Sequence, residues 1–445
     1  MENIMHNFEL SPNLPKNNDL NKKYNRFAKQ LSEWYNSGKV PELASQDTRF
    51  MLELQKQKLK KLGIDMQIKF GKTEQNEGNV GALSFEDSVF VNTIIGTSKK
   101  VTTTIRNSGN EIYCSSEEGN LSVVLQNPKT GCVPPADTPL CCPNCGAPST
   151  LGELEDGCEF CDTKFLMDEL YPKVMHIFIE KYGKLLYDKK QIKKYILFCS
   201  IGFFVLYIGL HILKSFIINT EVFRQFMEVK DFTVDKDSIE TYLYAVPASA
   251  FMGVFFGIPA WFIANIIESV RQLANVGRGG STMPKTLIFC NKMHTLDPTF
   301  SIEYFRDKST SLLKFMLYSS DPQELNICQC KKPIPKKIRE IIDITYRNSG
   351  VNKYSIKNGV CNVSLTFYTD SLHYRNGRII RSSDKIRMSM RKVIKKPTDL
   401  GFSFKAVTCP SCGGSFDAAN VKNCPFCGSD YPFEENEWVV TDISI

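Results

Sequence analysis

The chain has 445 residues, of which 42% are hydrophobic and 23% charged, with a formal net charge of +7. That length accommodates two or three domains. Its 16 cysteines would suit a secreted disulfide scaffold, but the first 24 residues are polar with no apolar signal segment, and eight cysteines stand in metal-type spacing. A reducing compartment is the expectation, in preference to a secreted disulfide framework.

Taken in chain order, residues 1–20 read as a disordered N-terminus. Residues 21–36 (NKKYNRFAKQLSEWYN) place Phe27, Leu31 and Trp34 on one helical face. Residues 49–62 predict a second helix that ends at Gly63. Segments 64–70, 90–95, 101–105 and 121–125 have strand character. Together, 21–135 predict a first α+β unit.

Within 136–180, Cys142-Pro-Asn-Cys145-Gly is followed by Cys158-Glu-Phe-Cys161 and then a closing strand at 174–180. Two CxxC pairs joined by a short hairpin can enclose one tetrahedral zinc ion, and four thiolates leave no position for substrate. Pro143 stiffens the turn, and Gly146 permits a backbone that aims amides at sulfur. A dithiol redox centre needs only one pair, at a helix start. An iron centre is chemically open to four thiolates, but nothing nearby suggests electron transfer.

Residues 195–213 (YILFCSIGFFVLYIGLHIL) and 242–267 carry no formal charge. Each is long enough to cross a bilayer, within transmembrane segments at 193–218 and 241–268. Pro247 and Pro259 in the second are tolerable in lipid. Lys181, Lys184, Lys189, Lys190, Lys193 and Lys194 precede the first segment, and Arg271, Arg278 and Lys285 follow the second. The connecting loop, 219–240, is acidic. The positive-inside rule therefore places both termini in the cytoplasm and the loop outside, in a cell membrane with two spans.

A second α+β unit is predicted at 281–404, with helices at 300–319 and 336–347 and strands at 360–368, 378–381 and 385–393. From 281 to 405, 23 Lys and Arg stand against 10 Asp and Glu. Such a surplus suits anionic lipid, an acidic protein or nucleic acid. In the last of these strands Lys385, Arg387 and Arg391 alternate with Ile386, Met388 and Met390. This gives one basic face, a candidate lipid-facing surface, and one apolar face. Residues 405–432 repeat the metal pattern, Cys409-Pro-Ser-Cys412-Gly and Cys424-Pro-Phe-Cys427, before a closing strand within 433–445. The expected complement is two zinc ions. Each half runs helices, strands, ribbon, strand, which predicts a diverged duplication. The remaining cysteines (Cys114, Cys132, Cys141, Cys199, Cys290, Cys328, Cys330 and Cys361) are expected to be free thiols.

Three stretches of the second half, DPTFSIEYF (297–305), RIIRSSDKIRMSMRKV (378–393) and NEWVVTDI (436–443), resemble the Tim-forty-four-like domain family, that of the mitochondrial inner-membrane tether for the import-motor chaperone. With the ribbons, the chain is similar to Gram-positive-type bacterial membrane proteins that insert a zinc ribbon before the last strand. The resemblance implies a cystatin-like or nuclear-transport-factor-like α+β cone with a pocket, attached to anionic membrane and engaging partners. It covers 281–445 and the first ribbon, and 20–130 by arrangement alone. The mitochondrial proteins lack the hairpin, so a translocase role does not carry over.

No catalytic constellation emerges. Asp297, Glu303 and Asp307 read as helix-capping or solvated carboxylates, and His6, His176, His211, His294 and His373 are scattered without ligand spacing. The ribbons are poor in interleaved basic and aromatic residues: Lys164 and Lys422 stand against Glu153, Glu155 and Asp156. Nucleic-acid binding would need the opposite balance. The expectation is a non-enzymatic membrane-anchored binding or scaffold protein, recognising a polypeptide, a lipid surface or an apolar ligand, with a relation to protein translocation or membrane assembly. The alternatives are a nucleic-acid-binding zinc-ribbon membrane protein and an enzyme using the cone pocket.

Overall fold

The fold is described from a computed structural model, over residues 20–72, 80–180, 189–219, 245–264 and 283–445 apart from 396, 406, 420 and 422. The expected disordered 1–20 and loop 219–240 fall almost wholly outside these residues. Two compact units result: Met1–Tyr182 with Gly279–Ile445, and Gly183–Arg278.

In the first unit, helix α1 (Leu20–Ser37) buries Tyr24, Phe27, Leu31 and Trp34 along one stripe. Helix α2 (Gln46–Lys61) starts at Ser45, whose hydroxyl accepts from the Thr48 amide, satisfying one of the donors a helix start leaves open. Strand β1 (Ile64–Gly71) and β2 (Val80–Glu86) both pair with β3 (Phe90–Asn107), which turns into β4 (Asn110–Pro128). The expected strands 90–95 and 101–105 are one continuous strand, because the polar stretch between them stays paired to β4 from Gly96–Ser122 through Lys100–Glu118. After the first ribbon (β5, Pro139–Cys141; β6, Pro148–Thr150; α3, Leu151–Asp156; α4, Met167–Leu170), β7 (Lys173–Glu180) returns antiparallel to β4.

The second half follows the same plan. Helices α7 (Met283–His294) and α8 (Ile302–Tyr318) lead through a short helix α9 (Lys336–Arg339) into β8 (Ile341–Lys357), β9 (Val360–Arg375) and β10 (Arg378–Val393). The second ribbon (β11, Val407–Thr408; β12, Ser415–Phe416) and α10 (Phe433–Asn436) precede β13 (Val439–Ser444), which pairs with β10. The helix expected over 336–347 is corrected: it stops at Arg339, and Ile341 to Arg347 belong to β8. Ile341, Ile342, Ile344 and Thr345 are β-branched, and packing on a pleated surface suits them better than a helical turn.

Both halves belong to one nine-stranded sheet, in the order β1-β3-β4-β7-β8-β9-β10-β13 with β2 beside β3. The seam is a parallel bridge between Glu180 in β7 and Tyr346 in β8. Side chains reinforce it. Lys58 Nζ in α2 donates to the carbonyls of Leu317 (2.5 Å) and Ile341 (2.7 Å). Phe50 meets Phe315 and Phe404 at 5.9 and 5.7 Å between ring centres. The amide of Leu400 donates to Asp87, and Ser403 donates to Asp47. One apolar core runs through both halves, from Phe27 and Val123 to Met388 and Trp438.

The second unit consists, among the described residues, of α5 (Lys189–Asn219) and α6 (Ala245–Ala264). Both are long and apolar enough to cross a membrane, over Ile192–Leu210 and Ala245–Ala264. Ala245, Ser249 and Trp261 of α6 are buried at helical spacing. On the same face, a Cβ at Gly253 or Gly257 would collide with Ser200 or with the backbone of Ile196. This Gly-x-x-x-Gly contact brings two helix backbones close, which is how helices pack where lipid removes the hydrophobic drive for association.

Candidate metal centres

Each ribbon is two tight turns facing one another. In the first, the Gly146 amide donates to Cys142 O and the Asp162 amide to Cys158 O, while the amides of Cys142 and Cys158 donate to Ala147 and Thr163. The second repeats this with Gly413, Gly428, Gly414 and Ser429. The turns require a left-handed residue after the second cysteine of each pair: Gly146 (φ +81°), Gly413 (+75°), Gly428 (+75°) and, in the remaining one, Asp162 (+55°). Aspartate tolerates that region better than most side chains.

The four Sγ atoms of Cys142, Cys145, Cys158 and Cys161 lie within 4.8 Å of one another, as do those of Cys409, Cys412, Cys424 and Cys427. Separations of 3.6 Å (Cys142–Cys161, Cys409–Cys427, Cys412–Cys424) and 3.7 Å (Cys145–Cys158) occur within them. A tetrahedron with metal–sulfur distances of about 2.3 Å has edges of about 3.8 Å, so both clusters fit a four-coordinate ion. All sixteen cysteines are free of disulfides.

Side chains around the sulfurs were not foreseen from spacing. Asn144 Nδ2 donates toward Cys161 Sγ at 3.7 Å, and the Thr163 hydroxyl lies 3.3 Å from it. In the second cluster the Ser429 hydroxyl lies 3.0 Å from Cys427 Sγ and 3.4 Å from Cys409 Sγ. The hydroxyl and amide of Thr163 hold the Cys161 thiol down to about 6, and the Ser429 hydroxyl holds Cys409 down to about 6. Against the pull of the Ala147 and Gly414 amides, burial and neighbouring thiols push Cys145 and Cys412 up to about 12. An entering cation must displace those protons, so binding weakens as pH falls. The signal available in sequence was the Thr or Ser two residues beyond the last cysteine of each ribbon.

The first cluster is also gripped from below. Arg49 of α2, 6% exposed, donates through Nη2 to the Cys142 carbonyl at 3.3 Å and through Nε to Ala44 O at 3.3 Å. A Cβ at Gly146 would stand 2.7 Å from Arg49 Nη1, whereas one at Gly413 meets open space. Gly413→Ala is expected to cost about 1–2 kcal/mol through its left-handed backbone alone. Gly146→Ala should weaken metal binding further, because Arg49 must also move. Competition titration with a zinc chelator measures both, and equal losses would show that the arginine contact is incidental.

Among the described residues the other candidates do not assemble into a catalytic set. Asp297 accepts from Thr299 and from the Thr398 amide (2.9 Å), tying the start of the second half to residue 398. Glu303 lies in the first turn of α8. Asp307 pairs with His176 at 2.6 Å, and His294 Nδ1 meets Phe300 O at 3.0 Å. His6 and the side chain of His211 lie outside the described residues. Ser382, His373 and Asp384 approach one another, but Ser382 Oγ (3.3 Å) and Asp384 Oδ2 (2.6 Å) both meet His373 Nε2. A relay needs the serine and the carboxylate on opposite ring nitrogens. A cavity of about 50 Å³ beside Tyr113, Glu117, Asp343, Asp370 and Arg381 has room for only a few waters. On β10 the expected alternation is present: Ile386, Met388 and Met390 are buried, Lys385 and Arg387 exposed, and Arg391 half-buried. Lys385 lies 5.8 Å over the Tyr368 ring, and Arg391 pairs with Glu434 at 3.4 Å.

No protein-family model, curated protein or solved structure matches the chain.

Proposed function

We propose that the chain is a membrane-anchored, non-enzymatic binding or scaffold protein with two structural zinc sites. The observation that carries this reading is the closed ligand set of each cluster, four thiols directed at one point, which leaves an ion no position for substrate. Zinc is the preferred occupant because a tetrahedral four-sulfur shell without neighbouring electron-transfer groups suits it. The long apolar helices α5 and α6 serve as the two spans. Residues on both sides of them in sequence share one sheet, which supports placing both flanks in the same compartment. The lysines before α5 make that compartment the cytoplasm.

The expected partners are the bilayer and a polypeptide or apolar ligand, with exposed Lys385 and Arg387 as the surface offered to anionic groups and Arg391 as a lesser contributor. The Tim-forty-four-like resemblance, a cone-shaped domain and a link to translocation or membrane assembly belong to the same proposal. Photo-crosslinking residues at Lys385 and Arg387 in the full chain, in native membranes, should yield lipid or polypeptide adducts. No adduct at either position would remove the basic face from the reading. Release of the chain by alkaline carbonate would remove the anchor.

A further inference from the structure

Lys173 opens β7 directly after the first ribbon. It is 1% exposed, and its Nζ has no hydrogen-bond partner among the described residues. Its electrostatic neighbours are Arg49, Cys141, Cys142 and Lys23. Arg49, also buried, spends its hydrogen bonds on two carbonyls, one of them that of the ligand Cys142. Among the described residues no carboxylate forms an ion pair with either cation. Burial disfavours the charged form of Lys173, so two positive charges can stand here only with an anion beside them.

A divalent ion held by four thiolates is such an anion, with two net negative charges, and it too needs compensation in a place shielded from water. We infer that Lys173 and Arg49 are the counter-charges of the first metal centre, making its affinity depend on the sheet beneath it. The inference rests on the zinc reading above. Among the described residues, which do not include Lys422, the second centre lacks this device. Val174 and Val440 occupy matching places, each bridged in parallel by a crossing segment at Ala44 or Cys328, so the counterpart of Lys173 is Val439. Lys405, beside the second ribbon, is already paired with Asp417. The same scaffold therefore occurs twice in one chain, with and without buried counter-charge.

The test uses the full-length protein in nanodiscs, with zinc counted by native mass spectrometry during chelator titration and each site assigned by hydrogen exchange of its ribbon. The wild type should release the second ion first. Lys173→Met should weaken the first site by about 10–100-fold and leave the second unchanged, while Lys173→Arg should restore most of the loss. In the cobalt-substituted protein, Lys173→Met should move the thiolate-to-metal band of the first site to longer wavelength, which a merely structural role would not do. Should Lys173→Met fail to fold, Lys173→Gln is read in the same way, and Val439→Lys tests the converse at the second site. Unchanged first-site affinity and spectrum in a folded, zinc-loaded variant overturn the inference. A wild type that binds no metal overturns the zinc reading itself.

Discussion

Stripping the metal from the intact protein is expected to unfold both ribbons and to loosen the first half well beyond its ribbon. Binding at structural zinc sites contributes about 10–16 kcal/mol, which a module of two-stranded hairpins cannot replace from its own contacts. Both ribbons bury their inner cysteines in one apolar core. Cys142 and Cys158 are fully buried with Leu140, Leu151, Leu154 and Leu170 in the core that also holds α2 and β7. Cys158→Ser should therefore lower the metal count from two to one and remove amide protection through 139–180. The matching Cys424→Ser should likewise lower the count to one and remove protection through 407–444, because Cys409, Phe416 and Ala419 pack with Trp438 and Val440 in that core. Cys114→Ser, at an exposed thiol, is the control and should change neither quantity. Elemental analysis and hydrogen exchange report the two effects, and full protection in the metal-free protein would contradict the expectation.

The second large effect is expected at Glu437, which lies between α10 and the closing strand β13 of the second half. Its carboxylate, 4% exposed, forms a close ion pair with Lys308 of α8 and accepts from the Trp438 amide at 2.8 Å. Glu437→Gln leaves the largely enclosed Lys308 without its ion-pair partner, at a cost of about 3 kcal/mol. Replacing both, Lys308→Met with Glu437→Leu, should cost less, because neither member of the ion pair is then left alone. Thermal melts of the two variants decide the matter, and equal destabilisation would show that packing rather than charge is at stake. The pair also sets a pH response. Despite burial, Lys308 and then Lys392 hold the Glu437 carboxyl below the usual range. Its stabilisation is thus complete above the unfolded value of about 4.3 and is lost as pH falls through the lower folded value. Asp47 runs the other way: burial raises it to about 6, so its contribution favours the folded state in acid and fades as pH rises from about 4 toward 6. The Glu437→Gln variant should lose the first slope and keep the second.

What could be read from the amino acids was what depends on neighbours in sequence. The cysteine pairs close over a few residues. The charge-free runs become α5 and α6, and the alternation in β10 sorts Lys385 from Ile386. The glycines at 253 and 257 were also in view, but only the closeness of Ser200 and Ile196 gives them meaning. What could not be read depends on distant partners. Nothing local announces that β7 meets β8, since that seam is one parallel bridge supported by side chains such as Lys58 and Phe50. The segment after Arg339 has charges at helical spacing, yet pairing with β9 makes it a strand. Arg49 reads as one more polar residue of a helix, and only the fold puts it beneath Cys142.

The shared sheet has a consequence for how the protein is made. Translation delivers the first half, then both apolar helices, and only afterwards the strand that completes the seam at Tyr346. At about 5–20 residues per second, the nascent first half waits roughly ten to thirty seconds with the edge of β7 bare. During that interval the apolar helices leave the ribosome, before the domain that flanks them is complete. The halves do not mature in sequence as beads on a string: the first is finished only by the last segments of the chain, Ser403 and Leu400 among them, which close onto Asp47 and Asp87.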